Sequence, residues 1–261
     1  MSDSIVVTTG GNGVATIKLN RPDKHNAFDE TIIAEFTHTL ADLGSNPNIR
    51  IVILASEGPS FSAGADANWM KRMATYTWDE NVRDANGLAR LLNTLNFLPK
   101  PTIARVQGAA MGGGAGLVCC CDIVVAAENA KFAFSEVKLG LVPATISPYV
   151  IKAIGARAAR QYFLSGARFS ANQALDMGMV SQVVAEENLD TSIAIWIERL
   201  STNSAHAMCL AKQLIVDVEA KPINEELIQF TSKIIASARC SDDAREGLNA
   251  FLEKRKPSWC I

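Results

Sequence analysis

A run of glycines marks the stretch of this chain with the clearest chemical potential. Residues 111–122, MGGGAGLVCCCD, place three consecutive glycines between a strand-like apolar run and a compact apolar segment. Glycine permits unusual backbone angles and leaves backbone N–H groups open to a ligand. If a helix begins at about Gly113, its first amides lack intrahelical acceptors and suit an oxygen that becomes negative during a reaction. The glycines alone are equally compatible with a tight turn and close helix packing.

Two further features could act with those amides. The stretch 61–66, FSAGAD, follows an apolar run at 51–55 and again leaves the backbone approachable. Glu136 stands between Phe134 and Val137. Burial of a carboxylate among apolar groups raises its pKa towards the range that suits proton transfer. The alternative is a glutamate at the end of a strand that points to water.

Composition limits the classes of function. The 261 residues carry a formal net charge of −2 and contain no run of more than three basic residues, which argues against nucleic acid as a partner. No apolar run is long enough to span a bilayer. The start of the chain has an acid, Asp3, where a signal peptide would have basic residues, and no apolar segment follows. We therefore expect a cytoplasmic protein without a membrane partner.

Metal binding has little support in the sequence. Cys119, Cys120 and Cys121 are adjacent, so on a helix they point in three directions and cannot share one metal. The histidines are scattered along the chain, which gives no triad or ligand spacing. We expect no metal site and interpret the six cysteines as buried, reduced thiols.

Hydrophobic patterning predicts the elements that must position these groups. Strands are expected at 5–8, 14–19, 51–55, 102–106, 123–127 and 131–134. Helices are expected at 29–43, at 70–98 with a break near 76–78, and at 153–164, 171–177, 189–200 and 205–218, with two more towards the end. The pattern therefore alternates strand and helix at first and becomes helical after residue 147.

Taken in order, these segments resemble the crotonase superfamily, the enoyl-CoA hydratase/isomerase proteins, over nearly the whole chain. The markers are 19–22 (LNRP) with Asn26-Ala27, 61–66 (FSAGAD), 107–108 leading into 112–114, 121–123 (CDI), 132–136 with 140–143 (GLVP), and 251–257 (FLEKRKP). Each marker is weak alone, and their order and spacing make the signal strong.

The resemblance implies an α/β fold of repeated β-β-α units in two roughly perpendicular sheets. Residues 1–200 would form this core, and residues 201–261 a helical layer that builds a homotrimer or a dimer of trimers. It also implies an acyl-CoA thioester as substrate. Coenzyme A would be part of that substrate, and no separate cofactor is expected.

Position by position, the resemblance assigns the catalytic groups. The thioester oxygen would lie between the backbone amides of Ala65 and Gly113, and Glu136 would be the acid–base group. Residues expected to contact substrate are Lys24, Ala27, Ala63, Ala65, Asp66, Ala67, Asn68, Gly113, Gly116, Phe251 and Lys254. Of these, Phe251 and Lys254 would come from a neighbouring subunit's tail.

One position departs from the family's two-acid pattern. The acid expected on the helix after the glycines falls on Gly116, which has no side chain. Its absence would also remove bulk beside the acyl chain. Residues 65–70 and 141–148 look most like the methylglutaconyl-CoA hydratase branch, including its isohexenylglutaconyl-CoA members. A distal carboxylate on such a substrate would need a cation, for which Lys71, Arg72 and Arg83 are candidates.

These features predict reversible hydration of a branched 2-enoyl-CoA, with Glu136 as both base and acid. A double-bond isomerase is the first alternative, because one carboxylate suffices for that chemistry. Decarboxylase, thioesterase and non-catalytic acyl-CoA-binding members also occur on this fold. An RNA-binding role is disfavoured by the acidic charge balance.

Overall fold

The computed structural model describes residues 4–260, so Asp3 lies outside them. Within this range the chain forms two sheets flanked by helices, which confirms the α/β class. The strands are β1 (Ile5–Thr9), β2 (Val14–Leu19), β3 (Ile51–Ser56), β4 (Thr102–Val106), β5 (Ala109–Met111), β6 (Ile123–Ala127), β7 (Lys131–Ala133), β8 (Arg168–Ser170) and β9 (Gln182–Val184). The larger sheet has the order β1-β2-β3-β4-β6-β9, and the smaller has the order β5-β7-β8.

The larger sheet is built on parallel pairing. The hairpin β1–β2 is antiparallel, while β2, β3, β4, β6 and β9 run parallel to one another. All six residues of β3 are buried, as is typical of a parallel strand covered on both faces. Alternation along β3 sends Val52 and Leu54 into the main core and Ile51 and Ile53 into a second cluster on the opposite face.

Helices cover both faces of the larger sheet. They are α1 (Glu30–Ser45), α2 (Ala67–Met73), α3 (Trp78–Asn96), α4 (Gly113–Cys119), α5 (Ser147–Ser165), α6 (Ala171–Asp176), α7 (Leu189–Ser201), α8 (Ala205–Val218), α9 (Glu225–Arg239) and α10 (Asp242–Leu252). Helices α1, α3, α4 and α5 contribute buried side chains to the main core, and α7 covers the second cluster through Leu189 and Ile193. The division of the chain at residue 200 stays a prediction.

The prediction that the chain is only helical after residue 147 is wrong. Strand β9 adds an edge to the larger sheet beside β6, and β8 pairs antiparallel with β7 in the smaller sheet. Helix α5 begins at Ser147 and is kinked at the non-helical Gly155, so the helix predicted at 153–164 corresponds to its second part. Strands of three residues are too short to show an alternating pattern, and their stability comes from sheet partners remote in the sequence.

Two further expectations, on the burial of the cysteines and on membrane-spanning segments, can be compared with the structure. Cys120 is buried, but Cys240 is exposed, so the interpretation of all six cysteines as buried thiols is wrong at that position. Across residues 4–260, no helix combines the length and apolar character needed to cross a bilayer.

Candidate active site

The smaller sheet brings the glycine run and Glu136 to one edge. Strands β5 and β7 are parallel, with Met111 paired to Ala133, so their carboxyl ends lie side by side. The Gly112 N–H donates to the Ala133 carbonyl over 2.9 Å, which ties the start of α4 to the end of β7. The chain reaches Glu136 three residues later. Parallel pairing is therefore the reason that these two distant segments meet.

The loop 61–66 joins the same edge. Ser62 forms a parallel bridge with Ala110, and the Met111 N–H donates to the Ser62 carbonyl over 2.9 Å. Gly64 has φ +85°, and a Cβ built on it would lie 2.7 Å from the Met111 oxygen and 3.5 Å from the Gly113 nitrogen. Only glycine allows this conformation and this approach together. The loop consequently runs directly against the first turn of α4.

Pairing with Phe28 orients the Ala65 amide. The Phe28 N–H donates to the Gly64 carbonyl, and the Asp66 N–H donates to the Phe28 carbonyl, each over 2.9 Å. In a parallel bridge these flanking bonds leave the N–H of the middle residue, Ala65, directed away from the partner segment. Within residues 4–260, neither this amide nor that of Gly113 donates a hydrogen bond. The loop 61–66 and the start of α4 therefore each present one unsatisfied amide where they lie against each other.

Glu136 lies beside those amides in a partly buried position. It opens a 3-10 turn, Glu136–Leu139, rather than ending a strand. Its Oε1 would be 3.2 Å from a Cβ placed on Gly112, the residue before Gly113. Its Oε2 is fully buried and has no hydrogen-bond partner among the described residues. Burial raises the pKa of this carboxyl, against a smaller opposing effect of its own backbone amide. An unpaired acid with a raised pKa is suited to proton transfer.

The raised pKa predicts a pH-dependent cost in stability. At low pH the carboxyl is protonated in both states, whereas at pH 8 the glutamate of the unfolded chain is ionised and burial disfavours that charge in the folded state. The folded state therefore loses stability as the pH rises from the ordinary glutamate range through the raised value. We expect Glu136→Gln to raise the free energy of unfolding, relative to the wild type, by more at pH 8 than at pH 4. Urea unfolding at both pH values measures this difference.

Glu128→Gln provides the control, because Glu128 is exposed. Its effect on unfolding should be the same at the two pH values. An equal effect of Glu136→Gln at pH 4 and pH 8 would contradict the link between burial and ionisation.

Asp66 holds the loop in place. It is 7% exposed, its Oδ1 accepts from the Asn68 and Trp69 amides at the start of α2, and its Oδ2 lies 3.3 Å from Arg21 Nη2. Burial acts to raise its pKa, but the two amides and the Arg21 guanidinium hold that pKa below its usual range. In this structure the side chain caps a helix, and its direct contact with substrate stays a prediction.

Two positioning residues were missed by the sequence analysis. Arg21 also donates to the Ala27 carbonyl over 2.8 Å. Asn26, only 1% exposed, donates through Nδ2 to the carbonyls of Glu57 and Ser60, each over 2.7 Å. Asn26 appeared only as a family marker, and nothing in the sequence indicated that its amide would tie these loops together.

The structure brings most of the predicted substrate-contacting positions to this region. The Ala63 N–H donates to the His25 carbonyl over 2.8 Å, which places the turn containing Lys24 against the loop 61–66. The side chains of Lys24, Ala63, Ala67 and Asn68 are exposed, whereas Ala27 is buried. Their contacts with coenzyme A stay predictions.

Gly116 is in a different situation from the one expected. It is buried in α4, and a Cβ built there would lie 2.4 Å from Ile146 Cγ2 and 3.6 Å from Leu92 Cδ2. The prediction that the missing acid leaves free space is wrong, because the Ile146 side chain fills it.

The remaining candidates lie further along the chain. Phe251, near the end of α10, is 80% exposed, and Lys254 follows it with φ +57°. Their role in a neighbouring subunit's site, and the trimer itself, stay predictions. Arg72 pairs with Glu30 at 2.7 Å, so as a cation for a distal carboxylate it is already engaged.

Comparison with known proteins agrees with this geometry. The family model for enoyl-CoA hydratase/isomerase matches residues 9–260. The crystal structure of an enoyl-CoA hydratase from Shewanella pealeana superposes with a TM-score of 0.95 at 46% identity, covering 98% of this chain and 96% of that one. The 1,2-epoxyphenylacetyl-CoA isomerase of Escherichia coli is 34% identical, over 95% of both chains. A Xenopus laevis relative, the mitochondrial enoyl-CoA hydratase domain-containing protein 3, is 32% identical over 95% of this chain and 83% of its own length.

One class of enzyme is defined by three findings together. They are the two-sheet fold, the sheet edge at which Ala65, Gly113 and Glu136 lie, and these matches. The chain belongs to the enoyl-CoA hydratase/isomerase family, the crotonase superfamily. Its activity is that of the family in general, and an acyl-CoA thioester is consistent with the family as substrate.

Proposed function

We propose that this enzyme adds water reversibly across the 2,3 double bond of a branched enoyl-CoA of the 3-methylglutaconyl-CoA kind. The observation that carries the proposal is the buried, unpaired Oε2 of Glu136 beside a backbone that presents two unsatisfied amides. The backbone N–H groups of Ala65 and Gly113 would donate hydrogen bonds to the thioester oxygen. Loss of one such donor typically costs about 3–4 kcal/mol of transition-state stabilisation.

One carboxylate can complete the reaction. Glu136 takes a proton from water, the water oxygen bonds to C3, and the π electrons move through C2 onto the thioester oxygen. The resulting enolate is held by the two amides. Glu136 then returns its proton to C2, so one water is added and the carboxylate is regenerated. The raised pKa favours this return step, because the protonated form is already stabilised by burial.

A branch at C3 suits a site with one acid. In the dehydration direction the C3–O bond breaks from the enolate, and an alkyl substituent on C3 stabilises the more substituted double bond that forms. A linear substrate lacks this assistance and would gain more from a second carboxyl group. Gly116, where such a group would stand, supports a branched substrate for this reason. The resemblance of residues 65–70 and 141–148 to the methylglutaconyl-CoA branch supports the same choice.

A substrate panel in ¹⁸O-labelled water tests the proposal. 3-Methylglutaconyl-CoA, crotonyl-CoA and a 3-enoyl-CoA are incubated with the enzyme, and the products are analysed by mass spectrometry. We expect one labelled oxygen in the hydrated product and faster turnover of the branched substrate than of crotonyl-CoA, by roughly 10-fold or more. Turnover of crotonyl-CoA as fast as that of the branched substrate would contradict the proposed substrate class.

Isomerisation is the second candidate, favoured by the absence of an acid at position 116. A single carboxylate can carry a proton between C2 and C4 without water entering the product. The relative from Escherichia coli bears the name 1,2-epoxyphenylacetyl-CoA isomerase. In the same panel, conversion of the 3-enoyl-CoA without uptake of labelled oxygen would establish isomerisation in place of hydration.

A further inference from the structure

The start of α4, from Gly112 to Gly116, forms the wall beside Glu136, and at Gly116 it packs against hydrocarbon. Gly112 lies against the Glu136 carboxylate, and Gly116 follows one turn later, with its N–H donating to the Gly112 carbonyl over 3.0 Å. Gly112 is the N-cap of α4, with φ +49°, and Gly116 lies about one helical turn further along. A side chain at position 116 would therefore leave α4 one turn away from the residue that faces Glu136.

Ile146 occupies the space that such a side chain needs. A Cβ on Gly116 would lie 2.4 Å from Ile146 Cγ2 and 3.0 Å from Ile146 Cβ, whereas real Cβ contacts are almost never shorter than 3.0 Å. Ile146 is β-branched, so these atoms are next to the backbone and cannot swing away as the end of a long side chain would. Its carbonyl accepts from the Tyr149 and Val150 amides at the start of α5, which fixes the backbone as well.

We propose that Ile146 is a specificity-determining residue that keeps this site to a single carboxylate. Its side chain excludes any acid at position 116 and, with the buried Leu92, makes that wall apolar. Water then has Glu136 as its only carboxylate partner on the described part of this wall, which selects C3-branched substrates over linear ones. The choice of substrate in this inference rests on the proposed function, but the steric exclusion does not.

Paired substitutions test the exclusion. Gly116→Glu alone introduces the clash, whereas Gly116→Glu with Ile146→Gly exchanges one buried side chain for another of similar size. Gly116→Gln with Ile146→Gly is the matched control, because it has the same shape without the acid. Thermal unfolding, crotonyl-CoA hydration and the pH dependence of kcat are measured for these variants and the wild type.

We expect Gly116→Glu alone to lower the melting temperature and Ile146→Gly to restore part of the loss. The Glu-containing pair should hydrate crotonyl-CoA roughly 10²-fold faster than the Gln-containing pair, with one additional ionisation in its pH profile. A wild-type melting temperature for Gly116→Glu would overturn the exclusion. Equal crotonyl-CoA rates and pH profiles for the two folded pairs would overturn the role in specificity.

A smaller pair keeps the test decisive if the larger variants do not fold. Gly116→Ala should be strongly destabilising with Ile146 present and much less so in an Ile146→Ala background, since the closest contact is then gone. Additive effects of these two substitutions on stability would overturn the proposal. Failure of the wild type to hydrate any branched acyl-CoA would instead contradict the proposed function and leave this stability coupling unchanged.

Discussion

Replacing Glu136 with glutamine is expected to lower turnover by roughly 10²–10⁴-fold while binding of an acyl-CoA persists. The amide has nearly the same shape as the carboxyl group but cannot take a proton from water or return one to C2. The groups proposed to hold the thioester, the amides of Ala65 and Gly113, belong to the backbone and are unaffected by the substitution. The reaction should therefore slow at the chemical step rather than at binding.

Single-turnover kinetics and calorimetric titration with a saturated acyl-CoA separate these two effects. Glu128→Gln, which makes the same chemical change at an exposed position, should leave both measurements at the wild-type level. If Glu136→Gln turns over within a few-fold of wild type, Glu136 is not the proton-transferring group. If binding is lost together with turnover, the carboxylate acts in holding the substrate rather than in chemistry.

Elements with several turns or a full alternating pattern were predictable from the sequence. Helix α8 has the predicted bounds, Ala205–Val218, strand β4 matches the apolar run Thr102–Val106, and α1 begins at Glu30 with Asp29 as its N-cap. Strands β5, β8 and β9 were not predicted; each has three residues and gains its stability from partners elsewhere in the chain, although the equally short β7 was predicted at 131–134. The smaller sheet, which assembles the candidate site, consists largely of such strands.

The candidate site was predictable in its residue types but not in its surroundings. Small residues at 65 and 113 and an acid at 136 are visible in the sequence, and they do lie together. The sequence did not indicate which residue fills the space beside Gly116, because the lack of a side chain at one position does not identify the neighbour that packs there. Ile146 is thirty positions away and comes close only through the packing of α4 against α5.

The location of the protein in the cytoplasm stays a prediction.

Gly64→Ala is expected to reduce kcat/KM by roughly 10²–10³-fold, the loss typical of one removed oxyanion donor. The new Cβ would lie 2.7 Å from the Met111 carbonyl oxygen, which belongs to the backbone just before the first turn of α4. Relief of this contact requires the loop 61–66 and the start of α4 to separate. The amides of Ala65 and Gly113 lie on either side of that contact, so their convergence on one oxygen would be lost.

Gly178→Ala separates this effect from simple backbone strain. Gly178 has φ +84°, nearly the value of Gly64, +85°, but its Cβ would meet only the Ala153 oxygen at an ordinary 3.4 Å. Both variants should lose stability, by about 1–2 kcal/mol from the left-handed conformation, and only Gly64→Ala should lose catalysis beyond that. Parallel measurement of kcat/KM and melting temperature makes the comparison. The close backbone contact with Met111 exists at Gly64 and not at Gly178. Equal activity in the two variants would therefore mean that the reaction does not depend on the convergence of the Ala65 and Gly113 amides.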